Sequence, residues 1–468
     1  MYEAKEKIAL KAGFWYVISD ISLRAVSVIT TPLFTRLMTT YEYGVVQTFS
    51  SWYALLATFF TLNLSYSIGR AKLDFPGKLD RYVGSMQLLA ALMSLILSTI
   101  ILLFLKPISS LFELSQIQTL ILTAYLFFQS PILLNQNSYR YKYQYRQNIA
   151  IAWYSTLSTT LLSMILMLIF KNHRENLRII GLALPTVALS MFFWVKNIRN
   201  TSINKGYWEY GLKLSLPLIL HAISLHILSQ SDRIFISKIW GKSDTGLYSL
   251  AYQLGSLLSV VTGAISQGWL PWFHDTLFSK QFDTIKENVK PIVILGCYIG
   301  LGCIVFAPEA IFVLGGEKYR DSIPCVMPVV LGVICQYIYT HYVNIELHLK
   351  KTMYVSAGTI IAALFNIITN AIFIPKYGFV AAAYTTLASY FLLMAVHFSI
   401  TRKVLHVRLY NDIFMFCAMF VTTIIAGLLS LSYGHSVVRL CFAGVGFLSF
   451  IYYFRSYILR FASKRRLF

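Results

Sequence analysis

Apolar runs long enough to cross a bilayer follow one another along almost the whole chain, and they fix its fold class first. GSMQLLAALMSLILSTIILLFL, residues 84–105, is one of them. It has no charge and the roughly 20 residues that a helix needs to cross a hydrocarbon core of about 30 Å. In lipid the backbone must satisfy its own hydrogen bonds, so such runs are helices; a barrel shows short alternating segments instead. Fourteen runs are read, among them 12–35, 43–67, 213–238, 322–346 and 355–374, joined by short connections with no inserted soluble domain. The expected fold is an all-α polytopic membrane protein of about 14 transmembrane helices.

The 468 residues carry 40 Lys+Arg against 19 Asp+Glu, a net charge of +21. In a soluble chain that excess points to nucleic acid. Here it sits in short loops, where it reports orientation. With the N-terminus inside, alternate connections hold 27 and 11 of the basic residues, and Arg24 and Arg233 lie within spans. The bias requires an even number of spans and puts both termini on the cytoplasmic side. Lys5, Lys7 and Lys11 precede an apolar run that is too long for a signal peptide and lacks a small-residue cleavage site. The alternating Tyr139 to Arg146 stretch and the basic tail from Arg455 to Arg466 are read as anchors to anionic lipid. Six cysteines, Cys297, Cys303, Cys325, Cys335, Cys417 and Cys441, lie in or beside spans without metal-ligand spacing and are expected to be small buried apolar residues.

Charge inside a span is expensive, so polar residues there mark the work or the packing. The stretch SLPLILHAISLHILSQSDRIFISKIWGKSDTGLYSLAY, residues 215–252, carries His221, His226, Asp232 and Arg233. A degenerate copy lies 202 positions earlier: Ile21, Ser22, Leu23, Ser27 and Gly44 fall on Ile223, Ser224, Leu225, Ser229 and Gly246, and Arg24 falls on His226. That order favours a duplicated half, as many transporters have. Asp20 and Arg24 are four apart and share a helix face. Two readings stay open for them: an ion pair that fixes packing, or a polar face on a cavity where Arg24 offers its planar fork to phosphate. Asp232 and Arg233 are adjacent and point to different faces, with Arg233 either facing a cavity or snorkelling to the interface. Arg70 faces an inner mouth or lipid headgroups. Asn366 and Asn370, four apart, are expected to hydrogen-bond a neighbouring helix, and Glu346 to be solvated at a span end. Pro217, Pro271, Pro324 and Pro328 are candidate bends. No catalytic constellation, phosphate-binding glycine loop or metal motif is found, so the chain is read as a transporter that does not hydrolyse ATP.

Three stretches carry a family resemblance. KAGFWYVISDISLRAVSVITTPLFTRLMTTYEYGVVQTF resembles the opening of bacterial polysaccharide-unit flippases. SLPLILH, SDRIFISKIWG and GLYSLAYQL resemble that family's second-half signature, and ALFNIITNAIFIPKYGFVAAAYTTLASY its asparagine-bearing segment, with Ala381 where the family usually has Gly. The resemblance covers essentially the whole chain and implies the multidrug/oligosaccharidyl-lipid/polysaccharide (MOP) exporter superfamily. It implies a MATE-like V of two six-helix bundles around a central cavity, 1–199 and 200–404, with two further helices in 405–468. It also implies a substrate, an oligosaccharide on undecaprenyl diphosphate flipped across the bacterial inner membrane for O-antigen, lipopolysaccharide or capsule synthesis. The expected substrate-binding residues are Arg24, Asp20, His226, Asp232, Arg233 and Arg70. The expected partners are membrane lipids, a polysaccharide polymerase and a chain-length regulator, with no nucleic acid. No cofactor is expected. A proton or sodium gradient, or the membrane potential, is the candidate drive, with Asp20 or His226 as the coupling group. Rival readings are a multidrug cation antiporter of the same fold, a non-transporting scaffold, and a flippase for the peptidoglycan precursor.

Overall fold

The computed structural model describes residues 2–200 and 202–465, nearly all of them helical, with no strand among the described residues. Among the described residues thirteen helices are long and apolar enough to cross a membrane, and a bent pair, taken as one span, makes a fourteenth. The chain is a multi-pass membrane protein. Of the basic tail, Arg466 lies outside the described residues. Two compact units divide it, 1–247 and 248–468.

The first unit holds α1 (Tyr2–Leu37), α2 (Thr40–Thr61), α3 (Ile68–Asp74), α4 (Leu79–Leu103), α5 (Leu105–Phe112), α6 (Gln116–Phe127), α7 (Ser130–Tyr141), α8 (Tyr145–Ile169), α9 (Arg174–Asn197) and α10 (Lys205–Ile239). A capping box starts α2: Thr39 accepts from the Glu42 amide, and Glu42 accepts from the Thr39 amide. The expected second span, 43–67, is broken. Leu62 and Asn63 take left-handed backbone with φ of 48° and 50°, and the two halves bend by 54°. No glycine or proline announces this break. Leu62, Leu64 and Ile68 are buried with Tyr82, Met86 and Leu134, so apolar burial offsets two unfavourable dihedrals. Beyond the break, Phe75, Tyr82, Tyr207 and Tyr210 stack edge to face or tilted, and tie α3 and α4 to the start of α10.

The helix α11 (Lys242–Phe278) begins in the first unit. There Gly44 of α2 and Gly246 of α11 meet. A Cβ on Gly44 would come 1.7 Å from the Lys242 carbonyl oxygen, and a Cβ on Gly246 would come 2.2 Å from that of Thr40. The contact is reciprocal: Thr40 and Gly44 are the counterparts of Lys242 and Gly246 at the 202-residue offset. Only glycine permits such an approach of two helix backbones.

The second unit holds the rest of α11, then α12 (Phe282–Val305), α13 (Ala307–Gly315), α14 (Ile323–His348), α15 (Thr352–Tyr377), α16 (Phe379–Ser399), α17 (Asp412–Leu431) and α18 (Ser436–Arg465). α14 is the most enclosed long helix of this unit, burying Val326, Val330, Ile334 and Ile338 along with the polar His341 and Glu346, whereas α18 is mostly exposed. α18 turns Val437, Leu440, Val445 and Phe447 outward, the composition of a lipid-facing helix. Pro217, Pro271 and Pro328 lie inside helices as expected, whereas Pro324 sits in the first turn of α14, where its missing N–H breaks no helical bond. Four cysteines are wholly or partly buried, but Cys417 and Cys441 are exposed on the outward faces of α17 and α18.

Asn366 and Asn370 are fully buried and link α15 to α16 as their spacing predicts. The Asn370 amide donates to Asn366 Oδ1 at 3.1 Å, the Asn366 amide donates to Ser389 Oγ at 3.3 Å, and Thr385 donates to Asn370 Oδ1.

Candidate functional site

Most of the charge embedded in the first unit is cationic, and it is arranged on α1, α9 and α10. Asp20 and Arg24 lie on α1 and are both exposed. No ion pair joins them among the described residues, so the packing-pair reading loses its geometric basis. An unbonded guanidinium on a span is available to a ligand.

On α10 the outcome is different. Arg233 is 6% exposed and Asp232 is fully buried, which overturns the snorkelling reading of Arg233. Arg233 Nη1 donates to the Ser229 carbonyl at 2.7 Å and to Gln230 Oε1 at 3.0 Å. Gln230 Oε1 also accepts from Ser51 of α2 at 3.1 Å. The network therefore fixes the guanidinium and fastens α10 to α2 at once. His226 is half-buried two turns before Arg233. His221 is half-buried on the same helix.

Arg178 is not among the expected binding residues; it is one of the 11 basic residues assigned to the outer connections. It lies in the second turn of α9. Its Nη1 donates to Ser163 Oγ at 2.7 Å and to the Thr159 carbonyl at 3.3 Å, and its guanidinium sits 3.9 Å from the centre of the Phe34 ring. It makes no ion pair among the described residues. Tyr43 of α2 lies within electrostatic reach of both Arg178 and Arg233. The available signal was position, since residue 178 falls just inside the sixth apolar run, read over 177–196.

Arg70 stands apart from this group. It ends in an exposed ion pair on α3, with Nε 3.0 Å from Asp74 Oδ2 and a side chain 65% exposed. Tyr210 of α10 donates to the same carboxylate oxygen at 2.5 Å. A guanidinium already matched by a carboxylate is a poorer anion site than Arg24 or Arg178.

Chemically, Arg178 and Arg233 are held by hydroxyls, carbonyls, an amide oxygen and a ring, and Arg24 is exposed on α1. Such groups bind phosphate-like oxygens and disfavour cationic ligands.

A family model described as "polysaccharide biosynthesis protein" matches residues 9–277, more than half of the chain. A protein of the Lsg locus of Haemophilus influenzae is 27% identical over 133 residues, covering 27% of this chain and 33% of that protein. An uncharacterized membrane protein of Methanocaldococcus jannaschii is 24% identical over 217 residues, covering 45% and 51%. The chain thus spans about a third to a half of the length of the curated relatives it matches. Among solved structures, the lipid II flippase MurJ in an inward closed conformation superposes with a TM-score of 0.75 at 16% identity, covering 95% of this chain and 100% of that one. An inward-facing multidrug resistance MATE family transporter of the MOP superfamily gives 0.58 at 14% identity, covering 82% and 93%. These likenesses show the fold.

Proposed function

The chain belongs to the polysaccharide biosynthesis protein family, and from that premise we propose that it flips a lipid-linked oligosaccharide from the cytoplasmic to the outer leaflet of the bacterial inner membrane. The carrier lipid is undecaprenyl diphosphate and the product feeds O-antigen or capsule synthesis. Both termini are cytoplasmic. The halves 1–199 and 200–404 are the bodies that alternate access, with 405–468 appended.

The observation that carries this reading is Arg24, exposed on α1 with no ion pair among the described residues, together with the embedded Arg178. A diphosphate cannot cross hydrocarbon unaided. A wall bearing one sign of charge concentrates the anion. With the cell interior negative, outward movement of an anion gains about 2.3 kcal/mol per charge per 100 mV. Arg24 and Arg178 engage the diphosphate, and Arg233 holds the local field from its fixed position. Asp20 on α1 and His226 and Asp232 on α10 are the further residues we assign to the substrate path, with Arg70, exposed on α3. A polymerase and a chain-length regulator are the partners of such a flippase.

Arg24→Glu in cells that need their surface polymer tests the reading. Export should fall at least tenfold, lipid-linked sugar should accumulate on the inner leaflet, and Arg24→Lys should keep part of the activity. Undiminished export in Arg24→Glu would remove the anion site from this helix.

A further inference from the structure

The turns at one end of the second unit border a cavity. α12 and α14 are both long and apolar enough to span, so the α13 segment that joins them lies at a membrane face. The short turn between α17 and α18 lies beside it. Local sequence makes this corner. Pro308 sits in the first turn of α13, and Gly316, with φ of 77°, ends that helix and turns the chain into the 3₁₀ turn Glu317–Ser322. The cavity between these pieces holds about 570 Å³, which is the size of a small-ligand site.

Its wall has two characters. Phe312 and Val313 of α13 are more than half exposed and form an apolar side. Glu309, Glu317, Arg320 and Tyr433 form a polar side. Glu317 and Arg320 are three apart and pair at 3.0 Å with both side chains exposed, a contact that is weak in water and opens readily. Glu309 is held differently. It accepts from Arg439 of α18, whose side chain is buried, while its own carboxylate is half exposed. Arg439 Nε and Nη1 and the Tyr433 hydroxyl are buried with no hydrogen-bond partner among the described residues. Unpartnered buried donors are rare and point to an acceptor from elsewhere.

We propose that this cavity binds a phospholipid with a primary-amine headgroup, of which phosphatidylethanolamine is the simplest. The charges decide the class. Two carboxylates stand with two guanidiniums, so the site favours neither a simple anion nor a simple cation. A zwitterion matches both signs. Its phosphate oxygens accept from Arg320 and from the donors at the floor, and its ammonium donates to Glu309 and Glu317. The headgroup opens the exposed Glu317–Arg320 pair and gives each partner a new opposite charge. The Glu309–Arg439 pair stays closed, because parting it would strand a buried guanidinium. Phe312 and Val313 then meet the first methylenes of an acyl chain. A free sugar would form none of the charged contacts and would leave those two side chains uncovered. Phosphatidylglycerol lacks the ammonium, and the choline headgroup has no N–H to donate. The inference does not depend on what the chain transports.

The test uses the full chain in detergent, stripped of lipid and titrated with phosphatidylethanolamine, phosphatidylglycerol or phosphatidylcholine of matched chains, with bound lipid counted by native mass spectrometry. One phosphatidylethanolamine should bind about tenfold more tightly than either other lipid, the step expected for one charged hydrogen bond. Glu317→Gln should remove the preference over phosphatidylglycerol. Arg320→Gln should weaken binding of both. Each residue is exposed, so neither change should lower Tm. Glycerophosphoethanolamine, the same headgroup without chains, should bind more weakly than the lipid. Equal affinity for the three lipids overturns the proposal. So does a Glu317→Gln chain that keeps the preference, or an Arg320→Gln chain that keeps its affinity. Glycerophosphoethanolamine bound as tightly as the lipid would overturn the assignment to a membrane lipid.

Discussion

Residues 20–44 and their copy 222–246 share a backbone device and differ in their charge. At the crossing, Gly44 and Gly246 play the same part against the Lys242 and Thr40 carbonyls. Upstream the copies diverge. The first exposes Asp20 and Arg24, whereas the second buries Asp232 and Arg233. The counterpart of Arg233 is Thr31, whose hydroxyl merely returns to its own helix, donating to the Ser27 carbonyl at 2.8 Å. Contact between two backbones tolerates no Cβ, so both copies keep glycine. A side chain along a helix meets no such restriction, so the copies have been free to place their cations differently.

The largest effect should come from closing the crossing. Gly44→Val and Gly246→Val force two backbones apart, and each should abolish folded protein in membranes, read by monodisperse yield after detergent extraction. Gly44→Ala and Gly246→Ala should each cost about 1–3 kcal/mol or more. Tolerance of alanine at one position and not the other would break the reciprocal relation. Next, Arg233→Met strips Gln230 and the Ser229 carbonyl of their donor. A loss of about 1–3 kcal/mol is expected, measured as a fall in Tm in detergent. Arg24→Ala should shift stability by less than about 0.5 kcal/mol while still impairing export, which separates a working cation from a structural one. An equal fall in Tm for both arginine variants would erase the distinction between the copies. The smallest effect belongs to Ser51→Ala, which removes one interhelical bond to Gln230, about 0.6 kcal/mol by the usual scale in membranes.

What could be read in advance follows a physical division. Asn366 and Asn370 were legible because a spacing of four places two amides on one helix face, a local fact. Arg178 was missed because it sits at the border of its span, in the second turn of α9, where a basic residue reads as part of the preceding loop. The break after Thr61 was invisible because the residues there, Leu62 and Asn63, are neither glycine nor proline; the burial of Leu62, Leu64 and Ile68 imposes the left-handed turns. Glu346 was misjudged because its surroundings are supplied by His397, 51 residues away.

By itself, then, the sequence determined the class of solvent, the number of spans and the internal copy, because twenty uncharged residues in a row and a 202-residue echo need no partner to be recognised. Tertiary structure alone decided which charges are sealed and which are free. Burial of a side chain is a property of what packs against it, and Arg24 and Arg233, both arginines within apolar spans, ended with opposite exposures for that reason.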